Sequence, residues 1–263
     1  MKIALIGYGN IANALVNGMI SSEKISLSDE LYVFHNNKKK IHQHDKCTFM
    51  CSGEKCGHTF DIIFLCVKPN DIKTAINENQ DLFVDNQVVV SVAAGVKIKT
   101  IKNLITRDSG VVRAMPNLCA VLNESITGFC SDNSVGDDKK KHIEEIFRSI
   151  GYVREIKEEE MDSFTALFGS GPAYIMYFIE SLMKCESFDS INEEDKSLLI
   201  LNLLSSTSKM LLVTENINDL RKKVTSKGGT TEAAIKLFED KDFMEIVREA
   251  IQEANKKSFN MSK

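Results

Sequence analysis

The chain has 263 residues, 43% of them hydrophobic and 27% charged, and carries a formal net charge of −4. That length suits two domains of ordinary size, and a slightly acidic balance with no basic face argues against nucleic acid or an anionic membrane as a partner. No apolar run is long enough to cross a bilayer and the first residues read as a core strand rather than a secretory leader, so a soluble protein with a cytoplasmic address is expected.

The run Ile3-Ala4-Leu5-Ile6 is a buried strand that breaks at Gly7-Tyr8-Gly9-Asn10-Ile11-Ala12 and continues as an amphipathic helix, Asn13 to Ile20. This is the G-x-G-x-x-A spacing of a dinucleotide grip. Gly7 permits the tight turn, Gly9 lets backbone approach a pyrophosphate, and Ala12 lets the helix lie close on the strand, with its N–H groups and dipole facing the anion. An ordinary strand-to-helix turn is the bland alternative, and the apolar strand before the motif and the helical period after it favour the grip.

Glu30 to Phe34 reads as a second strand and Asp61 to Val67 as a fully apolar one, stopped by Lys68-Pro69. A helix follows from Asn70 to Asn77, a strand over Val88 to Val92 ending in Ala93-Ala94-Gly95, and a helical period from Lys97 to Ile105. Gly110 to Met115 closes on Pro116-Asn117, and strands over Ile126–Cys130 and Tyr152–Ile156 enclose a helix from Lys139 to Ile150. Such regular alternation predicts an α/β fold, a doubly wound, mostly parallel sheet of Rossmann type, with ligands at the carboxyl ends of its strands.

At the end of the second strand an acid would bridge ribose hydroxyls, and none is there. His35-Asn36-Asn37-Lys38-Lys39-Lys40 instead offers amide donors and three cations, which favours NADP(H), with NAD(H) as the alternative. Seven cysteines, an odd number scattered through strand-like and helix-like segments, fit reduced thiols better than a disulfide framework. Cys47, Cys51, Cys56 and His58 match no zinc-ligand spacing, and no metal is expected.

From about Glu158 strand signals stop and helical periods take over: Ala173 to Lys184, Lys196 to Thr214, Asn218 to Val224, Thr231 to Phe238 and Phe243 to Lys257. A division into residues 1–157, the dinucleotide domain, and residues 158–263, an all-α domain, follows. Leu198 to Val213 is apolar on more than one face, so burial against a second copy of the chain is expected, a homodimer through the helical domain. Gly169-Ser170-Gly171-Pro172-Ala173-Tyr174 and Ser226-Lys227-Gly228-Gly229-Thr230-Thr231 both read as glycine-rich entries to helices, places where unpaired N–H groups favour an anion. The sequence offers neither paired carboxylates nor a nucleophile with its base. Hydride transfer to an already protonated carbon–nitrogen double bond needs little acid–base help and is the favoured chemistry.

Taken in order, Ile6-Gly7-Tyr8-Gly9-Asn10-Ile11-Ala12, Leu65-Cys66-Val67-Lys68-Pro69, Ser91-Val92-Ala93-Ala94-Gly95-Val96, Arg113-Ala114-Met115-Pro116-Asn117, Ala166 to Tyr174 and Gly228-Gly229-Thr230-Thr231 resemble the pyrroline-5-carboxylate reductase family over nearly the whole chain. The resemblance implies a nucleotide domain followed by a helical dimerisation domain, which in this family can assemble further, and reduction of 1-pyrroline-5-carboxylate to L-proline. It also implies roles by position. Ile6, Gly7, Tyr8, Gly9, Asn10 and Ile11 would hold the pyrophosphate, and Asn36 and Asn37 would lie by the adenosine ribose. Cys66, Val67, Lys68, Pro69, Ala93 and Ala94 would line the cofactor, and Met115 and Asn117 would flank the nicotinamide. Gly228, Gly229 and Thr230 would receive the substrate carboxylate, and Thr231 would hydrogen-bond the ring nitrogen. Phe168 stands where the family usually has a serine, and Lys227 where it has a proline. Two other functions remain open at this point: a dehydrogenase of beta-hydroxy acids, for which the stretch Ser163 to Tyr174 lacks the lysine, and a non-catalytic NADP(H)-sensing dimer.

Overall fold

The structure, a computed structural model, describes residues 1–22, 30–36, 46–185, 190–213 and 216–261. Alternation of apolar strands with amphipathic helices builds the amino-terminal part in the order β1 (Lys2–Ile6), α1 (Asn10–Ser21), β2 (Glu30–Phe34), β3 (Cys47–Met50), β4 (Ile62–Leu65), α2 (Ile72–Glu78), β5 (Val88–Ser91), α3 (Ile98–Leu104), β6 (Gly110–Met115), β7 (Ser125–Ser131), α4 (Asp137–Arg148) and β8 (Gly151–Glu155). The strands form one eight-stranded sheet, β3-β2-β1-β4-β5-β6-β7-β8. Every neighbouring pair is parallel except β6 with β7. The expected doubly wound α/β sheet is therefore present, and the order reverses between β1 and β4, which opens a crevice beyond their carboxyl ends.

Period-two alternation sends successive side chains to opposite faces, each of which has its own core. Leu5, Val33, Phe64 and Val90 pack with Leu15 and Met19 of α1 and Ile143 and Phe147 of α4. Ile6, Phe34, Leu65 and Val89 pack with Ile72 and Ile76 of α2 and Ile98 and Ile101 of α3. Most of these side chains are fully buried, each worth about 1.5–3 kcal/mol of transfer free energy. Ring edges add direction to the packing, as where Phe64 meets Phe147 with centroids 6.0 Å apart.

One strand has no counterpart in the sequence reading. β3 lies in the stretch of thiols after the second strand and pairs in parallel with β2, Val33 opposite Phe49. Phe49 then sets its ring edge-on to Tyr8, centroids 5.5 Å apart, so this edge strand braces the glycine turn.

After β8 come α5 (Met161–Phe164), a π turn (Thr165–Gly169), α6 (Gly171–Met183), α7 (Glu193–Leu212), α8 (Ile217–Lys223), α9 (Thr230–Asp240) and α10 (Phe243–Met261). By packing, the chain forms one unit of Met1–Pro172 with Ala254–Lys263 and a second of Ala173–Glu253. In the first unit, the end of α10 is fastened by Ser258, whose hydroxyl donates to Asp162 at 2.8 Å, and by Asn255, whose amide donates to the Ser163 hydroxyl at 2.6 Å.

Helix α7 of the second unit starts where expected of an Asn cap with acids behind it: Asn192 Oδ1 accepts the Asp195 N–H at 2.8 Å, and Glu193, Glu194 and Asp195 occupy the first turn. Its apolar residues do not form a closed core. Leu199 is 57% exposed, Leu203 60% and, on α6, Tyr177 72%. Exposed apolar surface on this scale marks an interaction face.

Candidate functional site

The grip forms at the reversal of strand order. Gly7 takes φ +95°, and a Cβ there would lie 2.7 Å from Val67 Cγ1 and 2.9 Å from the Cys66 carbonyl oxygen, so only glycine fits. The Gly7 N–H donates to the Phe34 carbonyl at 2.8 Å, which ties the turn to the end of β2. Gly9 differs in kind, since no described atom lies within 4 Å of a Cβ built on it. Gly9 is thus not required by packing against the rest of the chain, unlike Gly7. Gly9 is also the N-cap of α1, with no side chain capping it, and the first intrahelical bond is from the Asn13 N–H to the Gly9 carbonyl at 2.9 Å. The amides of Asn10, Ile11 and Ala12 precede that bond and have no intrahelical acceptor, as at any helix start, where they favour an anion. A dinucleotide pyrophosphate fits these features.

Tyr8, only 8% exposed, donates its hydroxyl to Asn13 Oδ1 at 3.0 Å, and burial of the ring pushes its pKa upward. A cleft of about 540 Å³ opens beside the turn, lined by Ile6, Gly7, Tyr8 and Gly9 from the β1 side and by Cys66, Val67 and Lys68 from the end of β4. Burial of its sulfur pushes the Cys66 thiol up to about 12, so Cys66 presents an S–H and not a thiolate. Pro69 opens the 3-10 turn Pro69–Asp71 that leads into α2. Asn36 lines the same cleft, whereas Asn37 and Lys38, Lys39 and Lys40 lie outside the described residues. Five lining residues were missing from the sequence reading: Ser52, Asp71, Thr74, Ala75 and Glu78. Thr74 and Glu78 are four apart on α2, a spacing that puts them on one face; Ser52 reaches the cleft because β3 exists.

Farther along the strand ends, Ala93 is buried and Ala94 partly so. The Ala93 N–H donates to Ser91 Oγ at 3.3 Å. Gly95 follows at φ +71°, where a Cβ would meet Met261 Cβ at 2.8 Å. Met115, at the end of β6, lies against Gly169, whose added Cβ would come 2.8 Å from Met115 Cε. Asn117 is turned inward: its Nδ2 donates to the Phe168 carbonyl at 3.0 Å and its Oδ1 accepts the Cys119 N–H at 3.1 Å. Both ends of that amide are thus engaged with protein. Beneath these residues Arg113, 1% exposed, pairs with Asp162 at 3.2 Å, and Glu158 stands 3.9 Å from its other terminal nitrogen.

The first glycine-rich segment of the carboxyl-terminal half departs from the expected open helix entry. α5 runs through the π turn into α6, and the Ser170 N–H closes that turn on the Thr165 carbonyl at 2.9 Å. Phe168, the departure from the family's serine, packs its ring at a tilt against Phe164 with centroids 4.8 Å apart.

The second segment is an open entry. Gly228 takes φ +76° and Gly229 caps α9 without side-chain help. Two of its amides are already engaged, Gly228 N–H with Glu232 Oε2 at 2.7 Å and Gly229 N–H with the Ser226 carbonyl at 3.0 Å. The first intrahelical bond runs from Ala233 N–H to the Gly229 carbonyl at 3.2 Å, so Thr230, Thr231 and Glu232 precede it with their N–H groups at the helix mouth. Lys227, in place of proline, is exposed beside them.

Among the described residues no group of His, Cys, Asp and Glu is arranged to hold a metal, and no helix is long and apolar enough to cross a membrane.

Comparison with known proteins adds two domain matches: a family described as pyrroline-5-carboxylate reductase dimerisation over residues 158–261, and one described as NADP oxidoreductase coenzyme F420-dependent over residues 2–95. Pyrroline-5-carboxylate reductase 2 of Bacillus subtilis is 32% identical, over 98% of this chain and 94% of the relative. Among solved structures, pyrroline carboxylate reductase of Plasmodium falciparum, with NADP bound, superposes with a TM-score of 0.88 at 26% identity, covering 100% of this chain and 98% of the other. The 1-pyrroline-5-carboxylate reductase of Streptococcus pyogenes gives 0.87 at 25% identity, covering 99% and 98%.

Proposed function

The chain belongs to the pyrroline-5-carboxylate reductase family and is an NADP(H)-dependent oxidoreductase that reduces 1-pyrroline-5-carboxylate to L-proline, and we propose how its residues divide that work. The observation that carries the proposal is the Gly9-capped start of α1, open to the crevice where the strand order reverses.

The amides of Asn10 and Ile11 take the pyrophosphate, held in register by Ile6, Gly7, Tyr8 and Gly9, while Cys66, Val67, Lys68, Pro69, Ala93 and Ala94 form the walls. Asn36 and Asn37 receive the ribose end. Met115 supplies the apolar surface for the nicotinamide, and Asn117 acts by holding the Phe168 turn against it, a role supported by its two internal hydrogen bonds. NADPH, when bound, supplies the hydride for the imine carbon. The substrate carboxylate sits at the mouth of α9, over Gly228, Gly229 and Thr230. Because the Gly228 and Gly229 amides already have acceptors, the Thr230 and Thr231 N–H groups carry most of that contact. The Thr231 hydroxyl donates to or accepts from the ring nitrogen and fixes the imine for attack.

Functionally the boundary falls between residues 157 and 158, a placement supported by the start of the dimerisation match at residue 158. The exposed apolar faces of α6 and α7 support a homodimer through the helical part, with further assembly of dimers as part of the same proposal. A cytoplasmic site of action is supported by free thiols at all seven cysteines.

Purified protein mixed with NADPH and racemic pyrroline-5-carboxylate should consume nicotinamide absorbance. No oxidation would favour a nucleotide-sensing dimer, and oxidation only with hydroxy-acid or keto-acid pairs a different dehydrogenase. Thr231→Val should lower kcat by on the order of 10²-fold with NADPH affinity intact, and Thr231→Ser should restore most of it; an unchanged rate removes Thr231 from the mechanism.

A further inference from the structure

We propose that Glu78 sets how strongly the dinucleotide cleft distinguishes a 2′-phosphorylated cofactor from an unphosphorylated one, a proposal that rests on reading the cleft at Gly7 and Gly9 as the cofactor's seat. In folds of this plan the residue just past the second strand marks the ribose. Here β2 ends at Phe34, and Asn36 lines the cleft two residues later. No acid follows β2 in the sequence, yet a carboxylate is there in space: Glu78 Oε2 lies 3.5 Å from Asn36 Nδ2, and Glu78 lines the same cleft. It is delivered by the last residue of α2 and not by β2.

The carboxylate stands on a fixed base. Asn79, the next residue, is 3% exposed and donates from Nδ2 to the Ala75 carbonyl at 2.8 Å. Its Oδ1 accepts the Gly53 N–H at 3.0 Å, which clamps the segment after β3 onto the end of α2. That clamp is close, since a Cβ on Gly53 would stand 3.2 Å from the Glu78 carbonyl oxygen. Asp71 adds a second acid to the same lining, which also includes Lys68.

A carboxylate at this place accepts hydrogen bonds from the free ribose hydroxyls of NADH. Against the 2′-phosphate of NADPH it is a like charge. Unit charges about 4 Å apart in water interact by enough to change an equilibrium about fivefold, and a phosphate carries more than one charge. Glu78 therefore holds the preference for NADPH below what the rest of the cleft would give, and keeps NADH usable.

The test is steady-state kinetics of the full-length wild type, Glu78→Gln and Glu78→Ala with each nucleotide at saturating pyrroline-5-carboxylate. Glu78→Gln keeps an acceptor for Asn36 and removes only the charge. In both variants the ratio of kcat/KM for NADPH to that for NADH should rise about 5- to 20-fold, carried by the KM of each nucleotide, and the rise should shrink as salt is added. A ratio unchanged in both variants, or moved toward NADH, overturns the proposal. Gly9→Ala separates this failure from a failure of the cleft itself, because the added Cβ has no described atom within 4 Å beyond its chain neighbours and projects where the pyrophosphate would approach. It should raise KM for both nucleotides. Unchanged KM values there would overturn the cleft and Glu78 together, whereas raised values with an unmoved ratio would overturn Glu78 alone.

Discussion

Removing the Asp162 carboxylate should destabilise the amino-terminal unit more than any change at its surface. Arg113 is buried on β6 and its guanidinium pairs with Asp162 at 3.2 Å. The same carboxylate oxygen accepts the Ser258 hydroxyl at 2.8 Å, so one group serves the sheet and the end of α10 at once. Glu158, held by the Ile98 N–H at 2.8 Å, stands 3.9 Å from the other guanidinium nitrogen, beyond hydrogen-bond reach, so it is a weak substitute. Asp162→Ala therefore strands a buried cation, at a cost of about 3–5 kcal/mol. With about 2–4 °C lost per kcal/mol for a chain near this size, Tm should fall by roughly 6–20 °C. Replacing both partners together, Arg113→Met with Asp162→Leu, removes the stranded charge and should recover most of the loss. Thermal and urea unfolding followed by circular dichroism measures all three proteins. A single variant within about 1 kcal/mol of wild type, or a double variant less stable than the single, would refute the argument that charge burial and not packing governs this site.

Gly7→Ala forces an L-residue to φ +95° and drives its Cβ onto Val67 and the Cys66 carbonyl. About 1–2 kcal/mol for the backbone and about 1–3 kcal/mol for the overlap should appear as a lower urea midpoint together with weaker NADPH binding; binding lost without stability would show the turn to be less constrained than its geometry. Asp132 offers a pH test. Its Oδ2 accepts the Val111 N–H at 2.8 Å and pairs with Lys102 at 3.0 Å, and its Oδ1 accepts the Ser134 N–H at 2.7 Å. Burial works against ionisation, but the Ser134 and Lys102 contacts outweigh it and hold the carboxyl below the usual aspartate range. A depressed carboxyl stabilises the fold above its unfolded pKa, about 3.9, and loses that contribution as pH falls through the folded value. Asp132→Asn should thus be less stable than wild type at pH 7, with the gap closing only below about pH 4; a gap independent of pH would mean that charge has no part in it.

Sequence order carried the sheet because each of its central strands is bounded locally. The runs at residues 3–6, 62–65 and 88–90 are apolar throughout and are followed by Gly7, Cys66-Val67-Lys68-Pro69 and Ala93-Ala94-Gly95, so both the strand and the ligand-facing tip were legible without knowledge of neighbours. Helix limits were less so. α1 begins at Asn10 and not Asn13, since no capping side chain marks its start and the ligand-facing amides belong to its first turn. β3 left no local signal: Cys47-Thr48-Phe49-Met50 is short and mixed, and it becomes a strand through its partner β2 and through the Tyr8 ring beneath Phe49.

The same contrast decides what could be read of the site. A rule that searches for an acid after the second strand looks along the chain, and Glu78 reaches Asn36 from 42 residues away, so the rule sees only lysines and amides. Asn117 reaches the Phe168 carbonyl from 51 residues away, a bond that no local pattern in the sequence announces. Gly169-Ser170-Gly171 has the composition of an open helix entry, but the preceding residues are helical as well, and a π turn absorbs the misfit and occupies the Ser170 amide. Gly228-Gly229-Thr230-Thr231 has the same composition after a helix that ends at Lys223, and its entry stays open. Glycine and hydroxyl residues therefore mark where an anion site can form, and whether the preceding residues are helical decides whether the amides remain available to hold one.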